Sequence, residues 1–513
     1  MLINLRASNT RMCGIFGIWG IFGKVDLKQA FSALSNIQHR GSDTYGCIAD
    51  EHVLYDRTMG GLQKKLQRFA KEQPEQPTQF LFHALHAIVN YVPQPLVNEK
   101  QKTIFLANGE IYNWEALSAE YKICCSEAEN DAMLLHKLLD RYGINIIDKF
   151  DGDYAFAWIS EKKITLARDL VGMKPLVYAL TKEVFAFASE KKALEALGLT
   201  PVDLHPREIV VYDLTTKKLL KKERRFFELD KKQEQLFSKM EEMVVVKELQ
   251  KRIVAAVEKR IRHLGNFGIL FSGGVDSTLL ALVCKQLGKK PILYTAAVDY
   301  GGRVSPDLKA AEKAAKMLGL SLKQKLINID ELEPVLKEVI AIIETDDVTK
   351  VGVAAPLYLA SQLAKKDKVK VLLSGIGSEE LFAGYERHLV ALQRKEDVNK
   401  ECLRGLSEMW ERDLYRDDLI TMKNLTELRA PFLDSAVIEY AKDLPASLKI
   451  NAEQKKIILR KAALALGLPS EFAERKKISA QYGSNVDKAM EKLAKKNGML
   501  YKKDYLEMLK KKS

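Results

Sequence analysis

The stretch Gly268–Ser277, GILFSGGVDS, decides how the second half of the chain is read. An apolar, strand-sized run ends in Ser-Gly-Gly, and the helix-like run VDSTLLALVCKQLG (275–288) follows at once. Gly273 and Gly274 let the backbone approach closely after the strand, and the amino end of the helix points at whatever sits there. An anion of phosphate type is well held in such a place. No Gly-Lys-Ser/Thr follows, so the loop is not a Walker A loop. Further along, strands and helices alternate: PILYTAAVD (291–299), PDLKAAEKAAKMLG (306–319) and VKVLLSGIGSEEL (369–381). The alternation predicts an α/β doubly wound parallel sheet, which binds its ligands at the carboxyl ends of the strands. A second glycine loop, SGIGSEELFAGY (374–385), would form the opposite wall of the same site, with Glu379 and Glu380 as candidate metal-binding carboxylates.

Residues 13–215 read differently. Short runs such as CGIFGIWG, QFLFHALHAIVN, TIFLANGEIYN, YAFAWIS and VFAFASE are separated by Gly, Asn, Asp and Lys turns. They predict a sheet-rich α+β sandwich, with helices such as the one around NDAMLLHKLLDRYG covering the sheets. Residues 216–248 shift abruptly to charge, as a hairpin end and connector would. A second domain is expected over 249–485, and a basic amphipathic tail with a solvated face over 486–513.

A chain of 513 residues is too long for one core, in agreement with two domains. The net charge of +13 permits an anionic partner without requiring one, and nucleic acid is not expected. The six cysteines form no CxxC pair and no zinc spacing, which suits a reduced, cytoplasmic setting. No run is apolar enough for a membrane span or a signal peptide.

The GILFSGGVDS stretch resembles the SGGxDS loop of the ATP pyrophosphatase family, whose members cleave ATP between the α and β phosphates to adenylate a carbonyl oxygen. In the first half, MCGIFG (12–17), HRGSD (39–43) and NGEIYN (108–113) together resemble class II glutamine amidotransferases, in which an amino-terminal Cys attacks the glutamine side chain. A thiol needs a base, and a free α-amine with a pKa near ~7.7 is suited to take its proton. Joined in this order, the halves are similar to the glutamine-hydrolysing asparagine synthetase family over residues 12 to about 485. ARDLVGMKPLVY (167–178), FASEKKAL (187–194), APLYLA (355–360), ELRAPFLD (427–434) and RKK (475–477) agree in order and context.

The resemblance implies a catalytic Cys13, with Asn108 and the backbone N–H of Gly109 as oxyanion hole and Asp131 as partner of the glutamine ammonium. It implies ATP binding by Ser272, Gly273, Gly274, Val275, Asp276 and Ser277, with Ser374 and Gly375 opposite, and Mg²⁺ on Asp276 and Glu379. Lys477 would steady charge on an acyl-adenylate while ammonia, released from glutamine and passed between the domains, attacks it. The implied partners are glutamine, ATP and aspartate or another carboxylate acceptor, and a homodimer is compatible with this reading. Either synthesis is expected to start at Met12, with an aminopeptidase exposing Cys13, or residues 1–12 are expected to be removed as a propeptide; retention would silence the glutaminase.

Two positions depart from the pattern. Leu85 stands where family members place an Arg that pairs with the glutamine α-carboxylate, and an apolar chain supplies no such cation. Ile376 stands where asparagine synthetases carry Glu, and it can neither accept a hydrogen bond nor move a proton. Alternatives to aspartate amidation are therefore a same-family enzyme with another carboxylate acceptor and a regulatory paralogue; the basic charge and Lys-rich tail leave a tRNA-modifying enzyme as a third.

Overall fold

A computed structural model describes residues 13–511, apart from Ser42, Pro74, 89–90, 125–127, 303–304 and Lys477. The expectations for residues 1–12 and for Lys477 fall outside the described residues. The chain divides into two compact units after Phe226.

The first unit holds two antiparallel sheets. Its strands in chain order are β1 (Gly14–Gly20), β2 (Thr44–Ala49), β3 (His52–Asp56), β4 (Gln79–Leu85), β5 (Leu96–Asn98), β6 (Thr103–Ile111), β7 (Gly152–Ile159), β8 (Lys163–Arg168), β9 (Val177–Leu180), β10 (Val184–Ala188), β11 (Val202–Asp203), β12 (Glu208–Asp213) and β13 (Lys218–Glu223). One sheet runs β11-β9-β10-β1-β4-β2-β3 and the other β13-β12-β8-β7-β6-β5. The period of two along each strand sorts the side chains. Ile15 and Trp19 of β1 meet Leu106 of β6 and Ala155 and Ala157 of β7 in the layer between the sheets. Phe16 and Ile18 point the other way, onto the helices Leu27–Ala33 and Met59–Glu72. Phe105 and Phe156 likewise pack under the helix Asp131–Tyr142. The result is a helix–sheet–sheet–helix sandwich, in which β1 lies centrally between β4 and β10.

The second unit is built on five parallel strands, β14 (Gly268–Leu270), β15 (Ile292–Val298), β16 (Leu322–Ile327), β17 (Val371–Leu373) and β18 (Glu427–Arg429), in the order β16-β15-β14-β17-β18. The chain moves outward from β14 through β15 to β16, then returns to place β17 on the other side of β14. The gap between the ends of β14 and β17 is therefore the topological switch point, where doubly wound sheets bind ligands.

In two lysine-rich segments the fold shows where the charge lies. Lys218–Glu223, at the start of 216–248, is strand β13, paired along its length with β12, as a hairpin end requires. Its charge reflects an exposed edge strand, which lysines protect from further pairing. The basic amphipathic tail forms the helices Val486–Lys496 and Lys502–Lys511, and from their apolar faces Met490, Leu493, Tyr505, Leu506 and Leu509 enter the core with the helices Leu332–Ile343 and Val348–Lys366. The lysines occupy only the outer face. Among the described residues no helix is long and apolar enough to cross a membrane.

Because Leu506 is fully buried, Leu506→Ala is expected to cost the second unit about 2–5 kcal/mol in urea unfolding. A helix lying loose on the surface would change by no more than about 0.5 kcal/mol.

Candidate active sites

In the first unit Cys13 directly precedes β1 and is buried. Its backbone is held from two sides. Arg40, fully buried, gives its Nε–H to the Cys13 carbonyl at 3.3 Å and its Nη1–H to Glu190 at 2.8 Å. Ser189 accepts the Ile15 N–H on its hydroxyl at 3.0 Å and gives its own N–H to the Ile15 carbonyl at 2.9 Å. Glu190 also meets His39 at 3.0 Å and Lys192 at 2.6 Å. Burial alone would push this carboxyl up, but His39, Lys192 and Arg40 overrule it and hold the group well below the ordinary range. The motifs HRGSD and FASEKKAL thus share one task, which is to fix the chain on which Cys13 sits.

Asn108 and Gly109 lie on β6, in the opposite sheet, and His83 links the two sheets. In β4 it is paired with Ile15, and its Nε2 lies 3.0 Å from the carbonyl of Ala107, which precedes Asn108. The beginning of β1 and the Asn108 segment therefore face each other across the sandwich. Asn108 is buried and its Nδ2 has no hydrogen-bond partner among the described residues, an arrangement that suits a donor awaiting an oxyanion. Gly109 has φ +153°, and a Cβ there would lie 2.2 Å from the Asp153 carbonyl, so only glycine fits.

Asp131 opens its helix after the N-cap Asn130, whose side chain accepts the Met133 N–H. One Asp131 oxygen accepts the Ile111 N–H at 2.9 Å, which brings this carboxylate to the end of β6, two residues from Gly109. Leu85, the last residue of β4, is buried, and its carbonyl accepts the Asp43 N–H at 3.2 Å. Apart from Lys477, every glutaminase and synthetase residue expected from the sequence is described. Arg40, Ser189, His83 and Glu190 were not assigned roles, although three of them lie in motifs already noted.

In the second unit the phosphate-type loop leaves β14. Gly273 has φ +67°, and a Cβ there would lie 2.4 Å from the carbonyl carbon of Ala310. The loop then enters the helix Val275–Gln286, and the hydroxyls of Ser277 and Thr278 donate to the Gly274 carbonyl. The second loop leaves β17. A Cβ on Gly375 would lie 2.8 Å from the Asp276 Cβ, so the two loops run side by side at the switch point. Ser374 accepts the Ile376 N–H, and Ile376 is half-buried.

Asp276 and Glu379 converge, but on a residue that sequence reasoning missed. Lys456 Nζ lies 2.8 and 2.7 Å from the two Asp276 oxygens, 2.8 Å from Glu379 Oε2 and 3.0 Å from Ser378 Oγ. Glu380, paired with Glu379 in the sequence expectation, turns away to Arg412 at 2.8 Å. Burial pushes its carboxyl up to about 7, Asp413 adds to the rise, and Arg412 opposes it. Arg475 donates to the Ser272 carbonyl at 3.2 Å and to Asp307 at 2.9 Å, bracing the first loop from outside.

Fold and sites together define a two-domain enzyme: an amino-terminal-nucleophile amidotransferase sandwich followed by a parallel-sheet synthetase. The glutamine amidotransferase domain model matches residues 75–234, and the asparagine synthase model matches 248–396 and 390–510. The protein named "Putative asparagine synthetase [glutamine-hydrolyzing] 1" of Methanocaldococcus jannaschii is 34% identical, over 98% of this chain and 99% of its own. The asparagine synthetase [glutamine-hydrolyzing] of Cricetulus griseus is 32% identical, over 91% of this chain and 83% of its own. The chain belongs to the glutamine-hydrolysing asparagine synthetase family, a family of ATP-dependent ligases. Use of ATP, glutamine and a carboxylate acceptor follows from that membership.

Two measurements test these networks. Glu190→Gln leaves Arg40 buried without its carboxylate and is expected to cost about 3–5 kcal/mol at pH 7, read by urea unfolding. Burial pushes the His83 imidazole down to about 4, against the bond to Ala107. The unfolded chain, with an ordinary value near ~6.5, takes up this proton first, so the contribution of His83 to stability falls as pH drops from about 6.5 to about 4. In His83→Gln that part of the pH slope should vanish, and an unchanged slope would refute the assignment.

Proposed function

We propose that the protein is a glutamine-dependent asparagine synthetase that amidates aspartate through a β-aspartyl-AMP intermediate and releases asparagine, glutamate, AMP and pyrophosphate. The observation that carries the reading is the convergence of Asp276 and Glu379 on one cation position, where two glycine loops meet at the switch point of the sheet. That arrangement is what a magnesium polyphosphate requires.

In the glutaminase half the Cys13 thiol adds to the glutamine carboxamide, its proton taken by the α-amine exposed when Cys13 is the first residue. Arg40 keeps the Cys13 carbonyl, and with it the nucleophile, in place. Asn108 Nδ2 and the Gly109 N–H meet the oxyanion, and Asp131 receives the glutamine ammonium. Leu85 offers no charge to the glutamine carboxylate, so glutamine binds weakly and ammonium serves as the better nitrogen source.

In the synthetase half Ser272, Gly273, Gly274, Val275, Asp276 and Ser277 cradle the phosphates from one side, and Ser374 and Gly375 from the other. Asp276 and Glu379 supply the hard oxygen donors that Mg²⁺ prefers, and the Lys456 ammonium already lies between them. When bound, Mg²⁺ neutralises the polyphosphate and the charge that develops on pyrophosphate as it leaves. Lys477 steadies the acyl-adenylate while ammonia attacks. A second reading keeps this chemistry but changes the acceptor, and half-buried Ile376 in the second loop favours it, because an apolar side chain cannot assist an attacking amine.

Pyrophosphate release decides between them, measured on protein that begins at Cys13, with ATP, Mg²⁺ and aspartate. Release with ammonium, and less efficiently with glutamine, is the expected outcome. Silence with aspartate under both nitrogen sources, together with release on another carboxylic acid, would replace the first reading with the second.

A further inference from the structure

Lys456 is remote in sequence from both carboxylates it joins, and several features of the fold combine to bring it there. It precedes the helix Ile457–Ala465 with φ +59°, in the left-handed region that a residue with a side chain rarely adopts. Gly384 makes room: a Cβ there would lie 1.7 Å from Glu379 Oε2 and 2.4 Å from Lys456 Cε. The ammonium is buried; its hydrogen bonds to both Asp276 oxygens and Ser378 Oγ match its three donors, and Glu379 Oε2 adds an ion-pair contact at 2.8 Å. One turn on, Arg460 binds the carbonyls of Ala473 and Arg475, and Arg475 reaches the Ser272 carbonyl, so the segment bearing the lysine is tied to the phosphate loop.

The oxygens that hold this ammonium are those a divalent cation would need. Both cations cannot use them at once, because like charges a few ångströms apart in a buried site repel strongly. We propose that Lys456 holds the metal position of the nucleotide-free protein, so that a divalent cation enters only in company with a polyphosphate. The incoming anion supplies further oxygens for the metal and a new counter-charge for the displaced ammonium. Lys456 is then a positioning residue that orders metal and nucleotide binding, and it also spares the empty site two facing, uncompensated carboxylates. The inference rests on the magnesium-nucleotide reading of the two loops.

The test is Mn²⁺ binding to the full chain, followed by electron paramagnetic resonance without nucleotide, with the fold of each variant checked by circular dichroism. Lys456→Gln should bind Mn²⁺ at least about tenfold more tightly than the parent chain. Equal or weaker binding by the folded variant would overturn the proposal. The parent chain provides a second test that needs no substitution: pyrophosphate should tighten Mn²⁺ binding by at least about tenfold, and purely additive binding would count against the lysine as decisively. If ATP proved not to bind at all, the nucleotide reading would fall, while the Mn²⁺ comparison between parent and variant would still stand or fail by itself.

Discussion

Two buried carboxylates a few ångströms apart need positive charge between them, and much of the second unit is arranged around that need. Asp276 is carried by the first turn of the helix after β14, Glu379 by the short helix after β17, and Lys456 by a left-handed residue far along the chain. The closeness depends on missing side chains. Gly375 lets the two loops touch, and Gly384 leaves room for the ion pair. Glycine therefore serves here less as a source of flexibility than as absent volume. Glu380 meets a different cation, Arg412, because Lys456 is already shared by Asp276 and Glu379.

The first unit solves a different problem with similar means. Cys13 stands just before the first strand of the sandwich, and the main chain around it is held by neighbours from other elements. Arg40 and Ser189 supply the restraint through the main chain of Cys13 and Ile15, and Glu190 neutralises Arg40 within the protein. A buried guanidinium with a carboxylate and a carbonyl is rigid because each alternative position would leave charge unpaired. Across the sandwich, His83 fixes the strand that carries Asn108, leaving the donor of that amide unspent.

Much of this was legible in the residues. Apolar strands alternating with amphipathic helices announced the parallel sheet, and the Ser-Gly-Gly stretch marked its ligand-binding end. For the edge strand Lys218–Glu223 and the two final helices, a hairpin end and amphipathic helices were legible but the depth of burial was not, because lysine-rich segments look solvated whether or not their other face is buried. On the edge strand, Lys218, Lys221 and Lys222 deter further pairing from outside without preventing the pairing with β12. For the final helices, the apolar positions Met490, Leu493, Leu506 and Leu509 are spaced for one face, but only the fold shows a core waiting for them.

By itself the sequence determined two successive units of different architecture, an antiparallel sandwich and then a parallel sheet, and the places where two glycine loops leave their strands, because strand, turn and helix signals are local. Tertiary structure alone decided that Lys456 would meet Asp276 and Glu379, that Arg40 and Glu190 would stand behind Cys13, and that His83 would bridge the sheets. Electrostatic compensation requires closeness in space and takes no account of distance along the chain, so even where a partner lies in a recognisable motif the linear sequence does not say which group it will meet.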